Sequence, residues 1–400
     1  MTGLWLAWTI LLGLVGLVWV SRHLDVSRYQ RREHPLTPDS FDGPPTDPPP
    51  LSVLVAAKDE QDNIASCVTT LLGQDYPDFE VIAINDRSED RTREILEGID
   101  DPDGRFTVIH VTELPDGWFG KNNAMRAGVE KATGSWLCFT DADCRQVSPR
   151  TLSMAMRMAI DEQVDLLSVL PVLETRSVVE RVIQPIAGAV MIFWFNPQRV
   201  NNPTSRTAYA NGAFMLMRRE TYAAIGGHER VKTEVNEDMH MARLVKEQGL
   251  RLRVVPNHGL YVTRMYSNAR ETWRGWSRIF YGCFGTFRRL AVSFMFMLIM
   301  GLTPWASAVV AWSAVAMCGW AQAGPWQNIA VTATLAILLQ QSLLVRYYRA
   351  SQARWWYAPT YGIGALVVLA MLVNAMCKLG GRQATVWRGT TYRGNQTVRD

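Results

Sequence analysis

Acidic side chains stand in four short clusters along the chain: Lys58-Asp59-Glu60, Asn85-Asp86-Arg87-Ser88, Asp141-Ala142-Asp143 and Asn236-Glu237-Asp238. One acid in a loop is often no more than a helix N-cap, a role that suits Asp62 or Asp90. Several acids gathered at one edge repel one another and need a partner. A divalent cation with phosphate oxygens is the usual answer, because Mg²⁺ and Mn²⁺ prefer carboxylate and phosphate donors. An isolated D-x-D is common and says little. Asp141-Ala142-Asp143 gains weight from following a short apolar run, 136–140 (WLCFT), at the end of a buried strand.

The elements that carry these clusters are legible. Residues 51–57 (LSVLVAA) form a β-branched apolar run of the kind found in buried parallel strands. Further strands are expected at 80–85, 105–111 and 136–140. Helices are expected at 62–72, with Ile64, Val68, Leu71 and Leu72 at helical spacing, at 89–99 and at 122–132. This alternation predicts an α/β fold with a doubly wound, mostly parallel sheet. In such sheets ligands gather at the carboxyl ends of the strands, where the acids fall.

Composition narrows the class. The 400 residues are 48% hydrophobic, which excludes a disordered or collagen-like chain. The formal charge is only +4 and scattered, so nucleic acid is not an expected partner. Six cysteines show no C-x-x-C pair and no zinc spacing, so a disulfide framework is not expected and a reducing compartment suits the chain.

Hydrophobicity is concentrated at the two ends. Residues 3–20 carry no charge, and Arg22, Arg28, Arg31 and Arg32 follow them. A cleaved signal would place its charge first, so a retained anchor is expected. Charge-poor stretches at 291–320, 329–345 and 357–377 predict a C-terminal membrane bundle. The expected organisation is an anchor at 1–22, a basic and Pro-rich linker at 23–50, a soluble domain at 51–285, a bundle at 286–378 and a basic tail at 379–400.

The Lys/Arg bias of the short flanks predicts an integral, multi-pass protein of the cell or inner membrane with its domain in the cytoplasm. Three C-terminal crossings would export a tail that holds Arg382, Arg388, Arg393 and Arg399. Either one stretch is re-entrant or interfacial, or 291–320, which contains Pro304, passes twice. A cytoplasmic tail is the preferred reading, with the number of spans open.

The order LSVLVAAKDE, INDRSEDRT, Trp118-Phe119-Gly120-Lys121, FTDAD and NED resembles the family 2 glycosyltransferases of GT-A fold, over roughly 51–285. The membrane-flanked layout looks like the branch that glycosylates lipids: ceramide glucosyltransferase-like, carotenoid- and hopanoid-associated enzymes. The resemblance implies a nucleotide-sugar donor, a UDP-sugar first among them, a Mg²⁺ or Mn²⁺ cofactor and a membrane lipid acceptor. It places Asp59 and Glu60 near the ribose, Asp86 on the base, Lys121 near the nucleotide or its phosphates, and Asp141 and Asp143 at the diphosphate and metal. Asp143 is the expected direct ligand. Glu237 and Asp238 match the acidic pair that carries the base, with Asp238 as the base itself, although a plain helix start is the alternative.

Chemistry agrees with these roles. A leaving diphosphate needs its charge neutralised, which a cation and Lys121 would do. An acceptor hydroxyl needs one carboxylate to take its proton. Direct inverting attack needs no second acid of the kind that hydrolases use.

The Q-x-x-R-W string found in many relatives is missing. Residues 270–278 (RETWRGWSR) stand in its place. Arg274 on the diphosphate and Trp273 or Trp276 against sugar or acceptor are one reading; an interfacial helix is the other. This departure argues against a processive polymer synthase. His258 is a candidate further metal ligand, with a structural loop histidine as the alternative, and His228 reads as part of a turn. Residues 211–213 (NGA) read as a strand edge facing acceptor or sugar. The apolar 182–195 is either a membrane-facing acceptor portal or a core helix. Two rival functions remain: a nucleotidyltransferase, which would show a G-x-G-x-R loop after the first strand, and a non-catalytic scaffold with a degenerate domain.

Overall fold

The computed structural model describes residues 2–379 and, in the tail, 385–387, 390–393 and 396–398. Arg382, Arg388 and Arg399 of the expected basic tail lie outside the described residues. The chain divides into two compact units. One comprises His34–Glu174, Ile192–Met265 and Gly381–Asp400, and the other Met1–Glu33, Thr175–Met191 and Tyr266–Gly380.

The first unit is built on strands β1 (Leu51–Ala57), β2 (Phe79–Asp86), β3 (Phe106–Val111), β4 (Trp136–Asp141), β5 (Cys144–Gln146), β6 (Leu166–Leu170), β7 (Val172–Leu173), β8 (Phe214–Arg218), β9 (Leu252–Pro256) and β10 (Tyr261–Thr263). Seven of them make one sheet in the order β3-β2-β1-β4-β8-β6-β9, and a small sheet joins β5-β10-β7. In the large sheet β8 alone runs against its neighbours, so the sheet is mostly parallel and doubly wound, as expected. Helices cover both faces, and Val53, Leu54, Val55, Ala83 and Ile84 are therefore buried whichever way they point. The order reverses between β1 and β4, and the D-x-D stands at that switch point.

Expected and observed helices differ at their edges. The helix expected at 89–99 is only Thr92–Glu97, because the Asp90 carboxylate accepts from Thr92 N (2.9 Å) and Gln61 N (3.0 Å) and holds the preceding residues in a turn. Asp90 thus holds the first helical N–H from the residue ahead of the N-cap, Arg91. The helix Gly120–Lys131 packs on β1 and β2 through Gly128. A Cβ there would lie 2.7 Å from Ile84 Cδ1 and 2.8 Å from Leu54 Cδ2. Gly128→Val is expected to cost about 1–3 kcal/mol through overpacking, read as a lower midpoint of thermal unfolding.

The linker is not a free spacer. Leu36 is fully buried, its N donates to Pro256 O (2.8 Å), and its O accepts from His258 N (2.8 Å). Arg150 donates to Phe41 O and Asp42 O, and Tyr76 Oη donates to Pro49 O.

The second unit is helical. The first helix runs Thr2–Arg32, ten residues beyond the expected anchor. Among the described residues four helices are long and apolar enough to cross a membrane: Gly3–Arg32, Phe287–Cys318, Pro325–Ala350 and Trp355–Leu379. Residues 291–320 do not turn back at Pro304. They follow one helical path with a π-helical turn at Met297–Leu302. Proline has no N–H to offer the preceding turn, and Gln340 Nε2 supplies donors instead, to Met300 O (3.3 Å) and Gly301 O (3.2 Å). Thr175–Met191 and the segment after Tyr266, expected within the soluble domain, cluster with the apolar helices. The apolar 182–195 forms the helix Val178–Trp194, with Val182, Ile183, Ile186 and Ala187 buried.

Candidate active site

The ends of β1 and β2 are laced together. Asp59 N donates to Ser88 Oγ (3.0 Å), Glu89 N to Asp59 Oδ1 (2.8 Å), Glu60 N to Thr92 Oγ1 (2.8 Å) and Lys58 Nζ to Arg87 O (2.9 Å). Asp59 and Arg87 both adopt left-handed backbone, at φ 54° and 53°. Non-glycine residues hold that conformation where the surroundings dictate it, often at functional sites. Glu60 is buried and accepts from Asn63 Nδ2 (2.8 Å).

A second group of side chains meets at the end of β4. Lys121, in the first turn of the Gly120–Lys131 helix, places Nζ 2.6 Å from Asp141 Oδ1 and 2.7 Å from Glu237 Oε1. Glu237 and Asp238 open the helix Glu237–Glu247, where the N-terminal dipole favours carboxylates. Asp238 Oδ2 accepts from Gly212 N (2.8 Å) and Oδ1 from Met239 N (2.7 Å). Gly212 leaves the meeting point open. A Cβ on it would stand 3.0 Å from Lys121 Nζ, 3.5 Å from Asp238 Oδ2 and 3.6 Å from Glu237 Oε1. The segment 211–213 thus faces the acidic pair immediately before β8.

Electrostatics follow from this crowding. Burial first, then the neighbouring Glu237 charge, push the Asp238 carboxyl up to about 7, against the opposing pull of Lys121 and the two N–H donors. Burial would lower the Lys121 ammonium, but Asp141 and Glu237 outweigh it and hold the group well above its ordinary value. Lys121 is therefore a fixed cation, and Asp238 a carboxyl poised to exchange a proton near neutrality. Beneath the D-x-D lie two buried thiols, Cys67 and Cys144, pushed up by burial and then by Asp143. They act as donors to backbone, Cys67 Sγ to Asp141 O and Cys144 Sγ to Ala213 O.

The metal set expected from sequence is not assembled as a whole. Thr263 lies opposite Cys144 and Tyr261 opposite Gln146, so Asp143 is at one end of β10. His258 precedes the other end, where its backbone is tied to Leu36. His258, expected as a further ligand, stands in the β9–β10 turn with its N donating to Leu36 O (2.8 Å). Among the described residues no three His, Cys, Asp or Glu side chains are grouped to hold one ion. Asp141 and Asp143 offer hard oxygen donors, which fit a divalent cation whose remaining ligands are phosphate or water oxygens.

Arg274 and Trp276 belong to the other unit, on the helix Ala269–Phe284. Arg274 is exposed. Trp276 is buried against Phe280, with ring centroids 5.7 Å apart, and its Nε1 has no hydrogen-bond partner.

Sequence reasoning missed Asn122. Its Nδ2 donates to Val231 O (2.8 Å), Glu234 O (3.0 Å) and Lys232 O (3.3 Å), fixing the segment ahead of Glu237 to the helix that bears Lys121. An asparagine at a helix start carries no signal of that task. Asp86 and Arg87 also form a pair that the spacing of charges did not announce.

Comparison with known proteins gives the following. Residues 52–226 match the model of glycosyl transferase family 2. The putative glycosyltransferase EpsH of Bacillus subtilis (strain 168) is 32% identical over 114 residues, 28% of this chain and 31% of that protein. The poly-beta-1,6-N-acetyl-D-glucosamine synthase of Staphylococcus epidermidis is 32% identical over 94 residues, 23% of this chain and 21% of that one. The chain thus spans less than a third of these relatives' length. Among solved structures, the mannosyltransferase PcManGT from Pyrobaculum calidifontis, in complex with GDP-Man and Mn²⁺, is 21% identical with a TM-score of 0.49, covering 89% of this chain and 99% of that one.

Proposed function

We propose that this chain, whose residues 52–226 match the model of glycosyl transferase family 2, is a membrane-bound inverting glycosyltransferase of GT-A fold. It moves a sugar, a hexose in the simplest case, from a nucleotide sugar to a lipid hydroxyl at the cytosolic leaflet. We read it as an enzyme of the lipid-glycosylating type that its sequence resembles. One observation carries the reading: Lys121 bridges Asp141 at the end of β4 and Glu237, with Asp238 beside them.

Asp238 takes the proton of the acceptor hydroxyl as its oxygen bonds to the anomeric carbon. The bond from that carbon to the diphosphate oxygen breaks, and the diphosphate leaves with the electron pair. Lys121 offsets the charge that builds on it. Asp141 and Asp143 would hold a divalent cation, which supplies further neutralisation when bound. Asp59 and Glu60 shape the rim for the ribose. The four apolar helices hold the enzyme in the bilayer where its acceptor resides.

Binding of UDP to the full chain in lipid nanodiscs, followed by titration calorimetry with and without Mn²⁺, tests the donor half. Saturable binding that strengthens with Mn²⁺ is expected; no binding of any nucleotide would overturn the reading and favour a scaffold. Because protonated Asp238 cannot accept a proton, transfer is also expected to rise with pH through about 7. A flat profile across that range would remove Asp238 as the base.

A further inference from the structure

Arg87 occupies a backbone position, φ 53°, that glycine adopts without strain and a residue with a Cβ does not. Its side chain folds back onto its own neighbour. Arg87 Nε donates to Asp86 Oδ1 (2.7 Å) and Nη2 to Asp86 Oδ2 (2.9 Å), so one guanidinium fork covers both carboxylate oxygens. The Asp86 side chain is 4% exposed and that of Arg87 23%. The helix start is packed onto this pair. A Cβ on Gly120 would lie 2.5 Å from Asp86 Oδ2 and 2.6 Å from Arg87 Nη2. That accounts for the glycine in the Trp118-Phe119-Gly120-Lys121 element. The backbone of Arg87 is held independently, its N donating to Val111 O (3.1 Å) and its O accepting from Lys58 Nζ.

The pair stands at the end of β2, two strands from β4 in the order β2-β1-β4. Two strand spacings are roughly 10 Å, the reach from a diphosphate at Asp141 to the base edge of the same nucleotide. We propose that Arg87 determines which base the donor site accepts, an inference that rests on the nucleotide-sugar reading above. A free carboxylate reads guanine by accepting N1–H and N2–H together across its two oxygens. Arg87 already fills that face of Asp86. What remains is one lone pair on each oxygen, the two pointing apart, so a base edge meets an acceptor for one N–H. Uracil and thymine offer a single imino N–H and fit it. Guanine brings two adjacent donors to one acceptor, and the second donor is left desolvated and unpaired.

The test is the ratio of UDP to GDP affinity, measured on the nanodisc-held full chain for wild type, Arg87→Gly and Arg87→Lys. The wild type is expected to favour UDP by about ten- to a hundred-fold, the worth of one paired base contact. Arg87→Gly relaxes the left-handed backbone but leaves the buried Asp86 carboxylate without its fork, so a lower unfolding midpoint is expected, while the folded protein brings the ratio toward one as GDP gains. Arg87→Lys, a point charge without the fork, narrows the ratio as well. A UDP preference that survives Arg87→Gly, or a wild type that favours GDP, overturns the role of Arg87 alone. A wild type that binds neither nucleotide overturns the donor reading and this inference with it.

Discussion

Asp238→Asn is expected to lower sugar transfer by about a hundred- to ten-thousand-fold, the usual worth of a positioned general base. The change keeps the shape of the side chain and an oxygen for Gly212 N, which donates to Asp238 Oδ2 at 2.8 Å. It removes the only property the mechanism needs, a proton acceptor near neutrality. Folding should not suffer. The Asp238 carboxyl is raised from an ordinary 3.8 to about 7 by burial and by Glu237, so the folded chain binds more protons than the unfolded one between those values. Its contribution to stability is present at low pH and lost as pH rises through about 7. The neutral amide escapes that loss, so Asp238→Asn should melt higher than wild type above pH 7 and close to it in acid. Reduced turnover together with a raised midpoint separates loss of chemistry from loss of fold. Near-wild-type turnover would remove Asp238 from the mechanism.

Lys121→Met should be nearly as severe, a loss of about a hundred- to a thousand-fold, the scale set by removing one preorganised stabilising group. Nζ lies within 2.7 Å of both Asp141 and Glu237, so its loss leaves neighbouring carboxylates without their shared cation. The signature is in the pH profile. Lys121 pulls the Asp238 carboxyl down; without it the carboxyl rises further, and the acid limb of the rate profile moves above 7. Transfer rates measured across that range check the shift. Part of the lost activity should return at higher pH in Lys121→Met and none in Asp238→Asn. An acid limb left at its wild-type position would show that the two groups do not act on one another.

The parts of this arrangement that obey local rules were legible in the residues. Runs such as 51–57 and 136–140 are apolar because both faces of their strands are covered, and the acids after them mark where the strands end. Glu237 and Asp238 announced a helix start and proved to be one. What could not be read depends on contacts distant in sequence. Asn122 meets carbonyls of the segment around Val231, and nothing in its neighbourhood along the chain says so. His258 reads as a ligand by residue type alone, and nothing near it along the chain shows that its backbone meets Leu36. The Asp86–Arg87 pair depends on a left-handed backbone that charge pattern does not encode. The grouping of 175–191 and the segment after Tyr266 with the apolar helices likewise depends on packing, which the order of residues does not state.

The full chain in nanodiscs made from bacterial lipid extract, incubated with Mn²⁺ and radiolabelled UDP-sugars one at a time, then extracted into organic solvent, measures transfer itself. Label from at least one sugar should enter the lipid phase with wild type and stay in water with Asp238→Asn. Equal partition of label for the two proteins, with nucleotide bound by both, would contradict the assignment of glycosyl transfer to these carboxylates.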